Sequence, residues 1–186
     1  SLVSDLLEIH GCKIIDLDEI SREVVMPGTE GLEELVDTFS KSILLSDGSL
    51  DRKNLRDVLY KKGRNRALIE QILHPKILHK MKTMMDDCKE GVMIVVIPLL
   101  VEKELWGPFD RAILVDCESE TQIKRLMERE NIDSEKAKTM LMAQASREQR
   151  LKLNEHLPTD IIENNSRLSD LKDKVQLLNQ KLFSLI

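Results

Sequence analysis

A chain of 186 residues has room for a sizeable core and one inserted subdomain. Apolar residues at 41% and charged residues at 33% exclude an intrinsically disordered chain, and with aromatics at 3% the core must be built from Leu, Ile, Val and Met. A net charge of -5 removes overall basicity as an argument for a nucleic-acid partner, and the longest apolar run, residues 92–101, is too short to span a bilayer as a helix.

The first helical stretch covers residues 3–9, with Gly11 as its stop signal. Residues 12–16 form a short strand candidate. Between residues 17 and 88 the apolar positions fall at helical spacing: Leu32, Leu35 and Val36, then Leu55, Val58 and Leu59, then Leu68, Ile69 and Ile72. Pro27-Gly28, Asp47-Gly48 and Pro75 punctuate this stretch, and His74-Pro75 is read as closing one helix and starting another. The segment is therefore a mostly helical subdomain inserted after the first strand.

Residues 92–97 are a β-branched run without alternation, which predicts a strand covered on both faces. Further strands are predicted over 111–116 and 160–163, with helices over 120–130, 134–153 and 168–183. Strands alternating with helices give an α/β class with a parallel sheet.

Cys12, Cys88 and Cys117 are widely separated, and none stands in a C-x-x-C pair. His10, His74, His79 and His156 add no metal-ligand spacing. The opening SLVSDLLEIHG has neither a basic n-region nor an extended apolar run. The expectation is a cytoplasmic chain with reduced thiols, no membrane and no nucleic-acid partner.

The predicted strands place acidic groups at their C-terminal ends: Asp16 and Asp18 after the first, Asp116 after the third. Ligands of open parallel sheets bind at that edge, where a carboxylate can take a hydroxyl proton or organise Mg²⁺ around phosphates. The alternative is that each Asp caps the following helix. Arg125 and Arg129 lie four apart on one helix face, and Arg147 and Arg150 follow. Guanidinium groups stabilise the charge of a transferring phosphoryl group, although Glu128, Glu130 and Glu148 leave a solvated charged face as the competing reading. Pro98, ending the strongest strand, releases the chain where a substrate crevice should open.

Several of these segments together resemble one family. Ile14-Ile15-Asp16-Leu17-Asp18-Glu19-Ile20-Ser21-Arg22 resembles its "IDAD-x-x-AR" segment, and Val25-Met26-Pro27-Gly28 the "V-x-PG" that follows. Asp47 to Arg52, Ile72-Leu73-His74-Pro75, Ile97-Pro98-Leu99-Leu100-Val101-Glu102 and Gln122-Ile123-Lys124-Arg125 match later blocks in order. Gln144-Ala145-Ser146-Arg147 and Asp160 to Asn165 complete the series. The chain is similar, over essentially its whole length, to dephospho-CoA kinases.

That resemblance implies a P-loop kinase-like parallel sheet flanked by helices, with an inserted helical substrate domain and a helical lid. Residues 1–16, 89–119 and 155–186 would form the nucleotide-binding core, 17–88 the CoA-side domain and 120–154 the lid. It implies transfer of the γ-phosphoryl of ATP, with Mg²⁺, to the ribose 3′-hydroxyl of dephospho-CoA. Asp16 would be the base or hydroxyl-orienting group and Arg147 a second catalytic residue. Arg125 and Arg129 would contact phosphates and Asn164 would lie near the adenine, while Asp18, Arg52, His74, Pro98 and Leu99 would shape the acceptor side.

The sequence also departs from the family. A P-loop, G-x-x-x-x-G-K-[ST], holds phosphates through backbone N–H groups and its Lys, and no such motif occurs in these 186 residues. Gly28-Thr29 and Gly63-Arg64 lack the Lys. Val3 to Leu7 resembles the helix that follows that loop, so the family's first strand and loop are expected to be absent, with a gap in the sheet and little activity. Ser1 would then be either the motif's own Ser, contacting nucleotide and Mg²⁺, or a residue foreign to the motif. Ser166 stands where the family often has Gly. The alternative reading is a chain that binds CoA-like ligands without catalysis.

Overall fold

The computed structural model describes residues 2–61, 64–165 and 167–186. Ser1, Gly63 and Ser166 lie outside the described residues. The chain divides into two compact units, one made of Ser1–Lys13 with Pro98–Ile186, the other of Ile14–Ile97. Among the described residues the strands form two two-stranded sheets.

In the first unit, α1 (Leu2–Ile9) buries Val3, Leu6 and Leu7 and packs against α9 (Leu168–Phe183), which buries Leu171, Val175, Leu178 and Leu182. Those α9 positions are spaced four, three and four apart, the stripe an amphipathic helix turns toward a core. Asn179 ties the end of α1 to α9: its Oδ1 accepts from the Cys12 thiol at 3.2 Å and its amide donates to the His10 carbonyl at 3.4 Å. Burial pushes the Cys12 thiol pKa up. Gly11, at φ +97°, turns the chain out of α1 in the left-handed region that glycine enters most readily.

Strands β3 (Ala112–Asp116) and β4 (Thr159–Glu163) are the parallel pair of this unit, in register from Ala112 beside Thr159 to Asp116 beside Glu163. Between them in sequence come α6 (Ser119–Glu130), α7 (Ser134–Met142) and α8 (Arg147–Leu151), then the 3-10 turn Lys152–Glu155. The single helix expected over 134–153 is thus three pieces. The break has a local cause: Ser146 and Gln149 form a capping box that starts a new helix, and Ala143 is the C-cap of α7.

In the second unit, β1 (Lys13–Asp16, of which Ile14–Asp16 belong here) pairs with β2 (Met93–Val96). β2 is half-buried along its length, not covered on both faces as its β-branched run predicts. Among the described residues four α-helices, α2 (Leu17–Glu23), α3 (Glu30–Phe39), α4 (Arg52–Lys61) and α5 (Arg64–Asp86), and a 3-10 turn over Lys41–Ile43 lie between the strands. Pro75 does not divide α5; it sits inside the continuous helix. Proline there forfeits one backbone hydrogen bond, and contacts of α5 with α2, α3 and α4 hold the helix through the defect.

Leu35 and Ile43 are fully buried in this unit. Lys76 of α5 bridges to Glu34 at 2.9 Å and Glu30 at 3.4 Å on α3, and Lys80 to Glu23 of α2 at 2.6 Å. α3 begins at Thr29, whose hydroxyl accepts from the Leu32 N–H. Gly31 permits the close approach behind it, since a Cβ there would stand 2.2 Å from the Val24 carbonyl oxygen.

Candidate active site

The C-terminal edge of β3 and β4 gathers a polar network in the first unit. Asp116, the last residue of β3, is 2% exposed. Its carboxylate receives Arg147 side-on: Nε donates to Oδ2 at 2.9 Å and Oδ1 at 3.1 Å, and Nη2 donates to Oδ2 at 2.6 Å. A planar guanidinium fork on a carboxylate is strong and directional. The hydrogen bonds and charge of Asp116 hold the Arg147 pKa above its ordinary value, against desolvation and with smaller help from Glu118 and Glu163. Nη1 is left outside the pair. α8 lies against β3, which brings Arg147 to the strand's end.

Beyond the strand ends, the Asn164 N–H donates to the Asp116 carbonyl at 2.7 Å, and the Asn164 carbonyl accepts from Arg125 Nη1 at 2.7 Å. Asn165 Oδ1 takes the N–H of Glu118, the N-cap of α6, at 2.8 Å, tying the start of that helix to the loop after β4. Arg129, one helical turn from Arg125, is exposed and bonds only to its neighbour Glu130 at 2.9 Å among the partners described.

Two cavities adjoin this network. One, of about 510 Å³, is lined by Cys117, Arg125 and Arg129 together with Gln144 and Met140. The other, of about 470 Å³, is lined by Ser119, Lys138, Arg147 and Arg150 among others. Both are cationic and of a size that suits a phosphorylated small molecule. Pro98 and Leu99, also in this unit, are exposed.

In the second unit, Asp16 and Asp18 come together at the end of β1. Asp16 is the N-cap of α2, its Oδ1 accepting from the Asp18 N–H at 2.8 Å. Capping and strand-end placement therefore coexist in one half-buried carboxylate. Arg52 opens α4 behind a turn in which Asp47 takes the Ser49 N–H at 2.9 Å and its hydroxyl at 2.6 Å, which lowers the Asp47 pKa. Asp51 then accepts from the Lys53 and Asn54 N–H groups, both at 3.0 Å. His74 is exposed, midway along α5. Among the described residues no cluster of three or more His, Cys, Asp or Glu side chains could hold a metal by itself.

A family model described as dephospho-CoA kinase matches residues 1–170. The chain belongs to the dephospho-CoA kinase family. It is 39% identical over 179 residues to a dephospho-CoA kinase of Photobacterium profundum, covering 96% of this chain and 88% of that one. With the dephospho-CoA kinase of Vibrio vulnificus it shares 36% over 184 residues, 98% of this chain and 89% of that one. A solved dephospho-CoA kinase from Campylobacter jejuni superposes with a TM-score of 0.69 at 23% identity, covering 98% of this chain and 90% of that one. A Thermus thermophilus crystal structure gives 0.76 at 22% identity, covering 97% and 90%.

Membership makes this an α/β protein of P-loop kinase-like fold and a phosphotransferase of coenzyme A biosynthesis that uses ATP. Among the described residues no helix is long and apolar enough to cross a membrane.

The sequence flagged Asp116 and Arg147 separately but not as partners, since nothing in periodicity links residues 31 apart. The role of Glu102 was likewise invisible: its Oε1 accepts the Ala145 N–H at 2.7 Å across 43 residues. The capping box was readable in Ser146-Arg147-Glu148-Gln149, which fits S-x-x-Q.

Proposed function

We propose that this dephospho-CoA kinase family chain carries the machinery that moves the γ-phosphoryl of ATP to the ribose 3′-hydroxyl of dephospho-CoA. The observation that carries the reading is the Asp16 carboxylate, held at the C-terminal end of β1 by the Asp18 N–H at 2.8 Å. With Oδ1 so fixed, Oδ2 is oriented to accept the proton of an attacking hydroxyl. Arg125, Arg129 and Arg147 contact the phosphates, and Asn164 lies by the adenine. Asp18, Arg52, His74, Pro98 and Leu99 shape the acceptor side, with 17–88 as the CoA-side domain and 120–154 as the lid. Mg²⁺ accompanies ATP. It needs only one or two carboxylates with phosphate oxygens and water, a demand the hard oxygens of Asp18 fit. The protein's own contribution is to orient the hydroxyl, take its proton at Asp16 and neutralise the phosphoryl oxygens with guanidinium groups.

Asp16→Asn should cut transfer by about 10²–10⁴-fold while leaving ATP affinity in place. A coupled ADP-release assay checks this, and near-normal turnover would move the role to Asp18.

A second reading has its own support, because the 186 residues hold no G-x-x-x-x-G-K-[ST]. By itself the chain then binds dephospho-CoA with little transfer. Each charge-assisted phosphate contact that such a loop would supply contributes about 1.5–3 kcal/mol. Turnover by residues 1–186 equal to that of the same chain with a strand and phosphate loop appended would refute the second reading. Binding by calorimetry with turnover confined to the extended chain would support it.

A further inference from the structure

The backbone just ahead of Arg147 is held on every side by side chains. The Ala145 N–H donates to Glu102 Oε1 at 2.7 Å, and its carbonyl accepts from Arg150 Nη1 at 2.7 Å. The Ser146 N–H donates to Gln149 Oε1 at 2.8 Å, and the Gln149 N–H returns to the Ser146 hydroxyl at 3.2 Å. Gln149 and Arg150 belong to α8 itself and move with it. Glu102 alone among these partners comes from a distant segment.

That segment is built to hold Glu102 still. Residues 99–105 make one helical turn closed as a Schellman motif: the Leu105 N–H reaches the Leu100 carbonyl at 3.1 Å, and the Glu104 N–H the Val101 carbonyl at 3.3 Å. Glu104 adopts φ +51°, the left-handed cap this motif requires. Leu100, Val101, Trp106 and Phe109 pack against the buried Ala112, Leu153 and Leu157, and Trp106 stacks on His156 with ring centroids 4.5 Å apart. The turn is thus anchored to β3 and to the 3-10 turn after α8, while the Glu102 carboxylate projects to a backbone N–H of a residue that is 8% exposed. Arg147 lies two residues beyond that N–H, with its guanidinium on Asp116.

We infer that Glu102 is a positioning residue for Arg147. Its carboxylate fixes the Ala145–Ser146 peptide, and that peptide fixes the start of α8, from which Arg147 reaches the end of β3. Without the anchor the capping box still forms, because its partners are local, but α8 is no longer registered against Asp116. The inference rests on the reading of Arg147 as a phosphate contact, and it supplies the reason that contact would be ready before nucleotide arrives.

The test is hydrogen exchange by NMR on the 186-residue chain without ligand. Three signals are followed: the Ala145 amide, the Arg147 Nε–H and the strand amides of Leu114 and Ile162. In Glu102→Ala, exchange at Ala145 and at Arg147 Nε–H should rise together by roughly ten- to hundredfold, the ratio that loss of a charge-assisted hydrogen bond gives to a local opening. The strand amides should not change. Glu102→Gln keeps an oxygen acceptor at the same reach and should restore most of the protection. Glu102→Asp keeps the charge but withdraws it by one methylene and should behave like Ala, which preserves the test if the Ala variant does not fold. Opening at Ala145 with Arg147 Nε–H unchanged overturns the inference, as does a parallel rise at Leu114 and Ile162. The readout needs neither ATP nor turnover, so its failure is distinct from failure of the transfer reading.

Discussion

Arg147 and Arg129 are both arginines at the edge of a cationic cavity in the same unit, yet their settings differ in kind. Arg147 is forked onto a carboxylate 2% exposed, and the Ala145–Ser146 backbone just ahead of it is clamped by Glu102, Gln149 and Arg150. Arg129 has a side chain 73% exposed and pairs with the adjacent Glu130. Arg125 lies between the extremes, with one hydrogen bond to the Asn164 carbonyl. A buried partner fixes a cation's position at the cost of engaging most of its donors, whereas an exposed one keeps its donors available and its position undefined. The first unit thus holds a pre-set guanidinium and an adaptable one; in the proposed site the first would define a geometry and the second would close over a ligand.

The largest effect is expected at the fixed end. Asp116→Ala removes the acceptor of three short contacts from the end of β3 and leaves the Arg147 fork without a partner. Loss of a buried, charge-assisted network of this kind costs about 2–4 kcal/mol, the half-exposed Arg147 keeping it below the extreme for a fully buried pair. Urea unfolding of the two chains measures it. A loss under about 1 kcal/mol would mean that Arg147 is no more fixed than Arg129.

The order of elements was readable because each one follows from neighbours in sequence. The helix expected over 168–183 stands as α9, and the β-branched run stands as β2. The errors mark where tertiary contacts overrule local signals. Pro75 reads as a break, but packing on three helices carries α5 through it. Residues 134–153 read as one helix, although the capping signal at Ser146 starts a new one and Glu102 takes the Ala145 N–H out of any helix ladder. Asp16 looked like a choice between cap and site, but one oxygen can cap while the carboxylate stays at the strand end. The pairing of Asp116 with Arg147 depends on chain reversal through α6 and α7, which no local pattern encodes.

An intermediate effect should come from the capping box, which sharpens the comparison by loosening the backbone under Arg147 without touching its guanidinium. Ser146→Ala leaves the Gln149 N–H without its hydroxyl acceptor. N-cap losses typically cost about 1 kcal/mol, and α8 has only five residues over which to recover it. The expected outcome is a fall of that size in urea, with faster exchange at the Gln149 amide and little change at Ile162. A loss matching that of Asp116→Ala would place the weight of the network in the cap, not in the ion pair.

The smallest effect should be at Arg129. Its pair with Glu130 joins adjacent residues on an exposed helix face, where two water-solvated charges exchange one good environment for another. Arg129→Ala should therefore change stability by less than about 0.5 kcal/mol. If Arg129 is a phosphate contact, the consequence appears instead in ATP affinity. The contact would be made through solvent-accessible donors, so it should weaken as ionic strength rises, and the variant's deficit should shrink between low and high salt. Titration calorimetry at two salt concentrations, beside a urea melt, separates the two. An unchanged melt with a salt-sensitive loss of affinity fits an adaptable guanidinium. A destabilised protein with unaltered ATP affinity would show that Arg129 is as structural as Arg147, and the contrast between the two arginines would collapse.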